Sequence, residues 1–160
     1  MTADSQWKLK YEVLRGFISS NPEIHIEQSE VCIPEDLRGS FFRLFDDIRG
    51  ALVESWQSSL ALDVYSLSKN FLAAETALSE TLKIQPALAL DLSSFLHTPK
   101  EGMMRLVYNR LFERIQGKIS EADFERIAEG ELAAETTAMY RLGYEAWAAL
   151  ALIIMLEPDA

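Results

Sequence analysis

The chain has 160 residues, 49% of them hydrophobic and 25% charged, with only 7 glycines and 5 prolines. That length suits one domain with a real core, and the composition excludes disordered, fibrous and collagen-like classes. A formal net charge of −10 repels phosphate backbones and anionic lipid, so neither nucleic acid nor a membrane is an expected partner.

The first predicted element is a helix over residues 4–19, capped by Asp4 or Ser5. Trp7, Tyr11, Leu14 and Ile18 fall on one of its faces, and "SSNP" closes it. The opening residues lack the uninterrupted apolar stretch of a signal peptide. "EIHIEQSEVCI" then alternates briefly, with no second clear strand to pair with it, so residues 21–33 are expected as an extended connector. Cys32 is the only cysteine, which excludes an internal disulfide and a thiolate metal site. It is expected as a small packing residue. His25, among Glu23, Glu27 and Glu30, is expected on a solvated loop.

Pro34 suits the first turn of the next helix, with Glu35 and Asp36 at the positive end of its dipole. Leu37, Phe41, Leu44, Ile48 and Leu52 form one apolar stripe. Leu60, Val64, Leu67, Phe71, Ala74, Leu78 and Leu82 form another. One continuous helix of some fifty residues would reach ~75 Å, too long for this chain. A break is therefore expected at Trp56–Leu60, with Ser58 or Ser59 as the new cap.

Pro86 to Pro99 predicts a short helix, with His97 at its end to meet terminal carbonyls. Met104, Val107, Leu111 and Ile115 predict one further helix, stopped by Gly117. Ser120 and Asp123 resemble a capping box that opens a long last helix. Its stripe is Phe124, Ala128, Leu132, Met139, Leu142, Ala146, Leu150 and Ile153, and Gly130 or Gly143 could kink it.

Two strings recur in the same order. "RLFDDIRG" at Arg43–Gly50 resembles "RLFERIQG" at Arg110–Gly117, and "LAAET" stands at Leu72–Thr76 and Leu132–Thr136. The spacers are 21 and 14 residues; their difference of seven is close to two helical turns. A duplicated helix pair is one origin of such strings, and convergence of similar helices is the other. The expected fold is an all-α bundle of five to six helices in a single domain over 1–160. The duplicated halves would be 35–85 and 100–156.

Three features could carry chemistry or contact. Glu75 and Glu135, matched in the repeat, would begin a carboxylate metal site if both point inward. No histidine follows at the Glu-x-x-His spacing of di-metal bundles, and both carboxylates are otherwise expected to reach solvent or an arginine such as Arg141. Asp46 and Asp47 lack the third aspartate of a DDxxD pattern, since Gly50 stands there. The aromatics Phe41, Phe42, Phe45, Trp56, Tyr65 and Phe71 would be core or the wall of a ligand cavity.

"AWAALALIIML", Ala146–Leu156, is apolar all round its helix and must be covered on every side. Eleven residues are about half of a roughly 20-residue bilayer span. The run is therefore expected to pack partly inside the chain and partly across a homodimer contact through Trp147, Leu150, Ile153 and Ile154. The expected function is a non-enzymatic, cytoplasmic interaction or regulatory module, homodimeric or bound to another protein, with no cofactor. A helical metal- or small-ligand-binding protein using inward Glu75 and Glu135, or an aromatic-lined cavity, is the alternative.

Overall fold

The computed structural model describes residues 3–56 and 59–156. The expected caps Asp4, Ser5, Ser58 and Ser59 lie outside the described residues and side chains. The architecture is all-α. Among the described residues, helices α1 (Ala3–Ser20), α2 (Glu35–Ser55), α3 (Ser59–Thr81), α4 (Leu90–His97), α5 (Pro99–Leu106), α6 (Tyr108–Ile115) and α7 (Glu121–Leu156) dominate. That is one or two more than the sequence suggests. The extra helix arises at Val107, where the expected single helix divides into α5 and α6.

A second correction concerns residues 21–33. His25–Ile26 (β1) and Val31–Cys32 (β2) pair antiparallel, His25 opposite Cys32 and Ile26 opposite Val31. The connector is a small hairpin. Ile24 and Ile33 anchor its two ends at 6% and 7% exposure, so Cys32 is turned out to solvent rather than packed.

The contacts group the helices into two compact units. The first comprises Met1–Gln57 with Met104–Leu132. Here α1 packs on α2, and the stripe Trp7, Tyr11 and Leu14 is buried with Phe41, Phe45, Ile48 and Leu52. Leu111, Ile115, Phe124 and Ala128 complete this core. Phe41, Phe42, Phe45, Tyr108 and Phe112 pack ring on ring, with centroids 5.0–6.4 Å apart. Arg49 lies over the Phe45 and Tyr108 rings, donates to the Met104 carbonyl at 3.1 Å and pairs with Asp46.

The second unit comprises Ser58–Met103 with Ala133–Ala160. Val64, Leu67, Phe71 and Leu78 of α3 are buried, as are Phe95 and Leu96 of α4. The Ser68 hydroxyl donates to the Leu96 carbonyl, tying α3 to α4 through a buried polar contact. At Gly102 of α5 a Cβ would stand 2.8 Å from the Phe95 Cα, so only glycine permits that approach. Lys83, just past α3, takes a positive φ of 58°, and the Ile84 amide donates back to the Leu78 carbonyl at 3.3 Å.

The repeated strings occupy different settings. Ile48 and Ile115 are both buried, but Phe45 is buried where Phe112 is half-buried. Gly50 lies inside α2, whereas Gly117 has φ 74° and ends the turn after α6. In "LAAET" the first copy buries Ala74; the second buries Leu132 and Thr136. The two copies turn different faces inward.

Candidate functional site

Glu75 stands half-buried on α3, one helical step from the buried Phe71–Leu78 face. Its Oε1 lies 2.9 Å from Nε2 of His97, the last residue of α4. The other ring nitrogen, Nδ1, lies 2.7 Å from the Ser93 carbonyl, the terminal contact expected of this histidine. Both nitrogens therefore face acceptors, which an imidazolium satisfies with two N–H donors and a neutral ring with only one. The Glu75 hydrogen bond, then the Ser93 carbonyl, hold the His97 pKa above its ordinary 6.5, against a smaller opposing effect of burial. Beside the pair an open cleft of about 400 Å³ is lined by Glu75, Thr76, Ser79, Glu80, Gln85 and Pro86.

Glu135 does not join it. The carboxylate, which the metal reading needs to point inward, is exposed on α7, and its neighbour Thr136 is the buried residue. Helical geometry explains this. The inward row runs through buried Leu132, Thr136, Gly143 and Leu150 with half-buried Met139 and Ala146 between them, so position 135 falls one step off it. Leu142 likewise turns out at 49% exposure, while Gly143 turns in. A Cβ at Gly143 would lie 2.8 Å from Cδ2 of Leu96 and 3.1 Å from Cδ2 of Leu67, so glycine suits this close approach, and α7 continues past it without a break. Among the described residues, no three histidine, cysteine, aspartate or glutamate side chains gather as a metal site.

Four other acids near the start of α7, Glu121, Asp123, Glu125 and Glu131, have partners. Ser120 accepts from the Asp123 amide at 3.2 Å, giving the expected cap. Lys8 bridges Glu121 and Glu125 at 3.1 and 2.8 Å, and Arg110 holds Glu131 at 2.7 Å and Glu113 at 2.8 Å. The Arg110 hydrogen bonds lower the Glu131 pKa below the ordinary carboxylate range.

The C-terminal part of α7 behaves differently. Of the four expected contact residues, Leu150 is buried within the chain at 7%. Trp147 is half-buried, and Ile153 and Ile154 are 40% and 38% exposed. Leu152, Met155 and Leu156 extend the exposed area at 57%, 80% and 77%. One turn earlier lies an open groove of about 500 Å³ along Thr137, Tyr140, Arg141, Tyr144 and Glu145. Tyr140, Tyr144 and Trp147 form a ladder of rings with centroids 6.4 and 5.5 Å apart. The most apolar 18 residues of α7 average a hydropathy of 1.3, enough by length and composition to cross a bilayer, and are 11% buried.

Comparison with family models, with curated proteins and with solved structures finds no match to this chain.

Proposed function

We propose that this chain is a non-enzymatic interaction module that docks a protein partner on the outer face of the C-terminal half of α7. The observation that carries the reading is the five-residue run Leu152–Leu156, every member of which is large, apolar and 38–80% exposed. Scattered apolar residues on a surface need no explanation, but a contiguous run at one helix end does. A bilayer is the weaker occupant, because immersing this helix would bring Arg141 and Glu145 with it on an acidic chain of net charge −10.

The test is site-specific photo-crosslinking from position 153 in cells, with Ile154→Asp as the control. A protein crosslink that disappears in the Ile154→Asp variant supports docking. Crosslinking to lipid alone, or to nothing, removes the reading.

A further inference from the structure

We infer that Arg114 and Arg15, together with the Tyr11 hydroxyl, bind the phosphate group of a small anion. The site lies within the first unit and is independent of the docking role proposed above.

Tyr11 sits on α1 at 6% exposure, its ring edge-on to Trp7 with centroids 6.2 Å apart. The Arg114 guanidinium, from the last turn of α6, lies 5.4 Å from the centroid of that ring. Arg15 stands exposed one turn beyond Tyr11 on α1, and helical side chains lean toward the N-terminus, which carries it back toward the same residue. All three groups are hydrogen-bond donors. The Arg114 Nε is buried without a hydrogen-bond partner, and neither guanidinium nor the Tyr11 hydroxyl meets an acceptor among the described residues. A half-buried charge is stable when an opposite charge answers it, and here that charge has to come from outside the chain.

Such a place is out of character for this protein. Acids outnumber bases 25 to 15, and the bases nearest in sequence are paired, Arg110 with Glu113 and Glu131, Lys8 with Glu121 and Glu125. Glu113 adjoins Arg114 yet turns to Arg110. Burial pushes the Tyr11 phenol above its ordinary value; Arg114 and then Arg15 oppose this, and Glu12 and Glu121 act more weakly. The phenol therefore remains an O–H donor at neutral pH, with positive charge prevailing around it. A small ion responds to these nearest charges, because salt screens the acidic remainder beyond about 8 Å.

Charge and shape choose the ligand. A phosphate monoester carries about 1.5 to 2 negative charges, which two guanidinium groups balance, and its three terminal oxygens accept from two planar forks and one hydroxyl. A carboxylate, with one charge and two oxygens, leaves one arginine unmatched. Nucleic acid and anionic bilayers present phosphates in rows, and these would run from the pair onto the acidic surface.

The experiment follows the arginine Nε–H signals of the isotope-labelled full chain by NMR during titration with inorganic phosphate, with sodium chloride and sodium acetate at matched ionic strength as references. The Arg114 signal, assigned by its loss in Arg114→Lys, shifts and saturates with phosphate and stays in place with chloride and acetate. Arg114→Lys keeps the charge without the fork and weakens binding about tenfold, read from the Arg15 signal. Arg15→Gln, at an exposed position, and Tyr11→Phe, which keeps the packed ring, each weaken it about fivefold, with helicity checked by circular dichroism. Glycerol phosphate in place of the free ion separates the two sources: tighter binding assigns the phosphate of an ester, and equal or weaker binding assigns free phosphate. An Arg114 signal that does not move with phosphate, or that moves equally with acetate or chloride, overturns the site. So does a phosphate response that Arg15→Gln leaves unchanged.

Discussion

The two halves of α7 are one helix under opposite conditions. From Glu121 to Leu132 the sequence is rich in acids, yet Phe124, Ala128 and Leu132 are buried, and Glu121, Glu125 and Glu131 are engaged by Lys8 and Arg110. From Ala146 to Leu156 there is no charge, yet only Leu150 is buried. Hydrophobicity and burial run in opposite directions along the same element. Local composition alone therefore says little about burial; what decides it is whether a neighbouring surface is there to receive the side chain.

The contrast can be broken at several points. The largest effect is expected for Phe124→Ala, since this ring is fully buried with centroids 5.4 Å from Trp7 and 6.1 Å from Trp56. It should lower stability in urea by about 3–5 kcal/mol. A loss below about 1 kcal/mol would mean that the first half is not anchored as described. Leu150→Ala, the one buried large residue of the apolar end, should cost about 2–3 kcal/mol in the same measurement. Arg110→Met should cost only about 0.5–1 kcal/mol, because the pair with Glu131 is a third or more exposed, and the loss should shrink in high salt. At the other extreme, Leu152→Ser should change the unfolding free energy by less than about 0.5 kcal/mol while weakening the protein crosslink from position 153.

The smallest expected effect is a pH dependence through His97. Its folded-state pKa lies above the ordinary 6.5 because of Glu75 and the Ser93 carbonyl. The protonated pair therefore contributes its full stabilisation below the unfolded value, and loses it as pH rises through the folded one. The side chain is 36% exposed, so roughly a few tenths of a kcal/mol are at stake. Urea midpoints measured on either side of that window should differ for the wild type and coincide for His97→Gln. A wild-type midpoint that rises with pH there would contradict the pairing.

Much of the fold is legible in the sequence, and its misses have physical causes. The stripes of α1, α2 and α3 announce themselves because Trp7, Phe41, Ile48, Val64 and Phe71 recur at helical spacing. The joint after Ser55 follows from length alone. The β1–β2 hairpin does not, because strands of two residues have no period to detect. The break at Val107 carries neither glycine nor proline. On α7 the inward row uses Thr136 and Gly143, residues that give no apolar signal, so a stripe read from leucines drifts onto the exposed Leu142. The Glu75–His97 contact joins residues 22 apart and depends on how α4 returns to α3. His97 is legible as a helix-end residue; its carboxylate partner is set by tertiary packing.

One residue outside these rows has a consequence of its own. Lys83 occupies a backbone conformation that carries a steric cost for any side chain and none for glycine, and its ammonium donates to the Glu80 carbonyl at 3.0 Å. Lys83→Gly should therefore raise the melting temperature rather than lower it, contrary to the usual effect of introducing glycine. The joint after α3 is a place where the chain has left thermal resilience unclaimed.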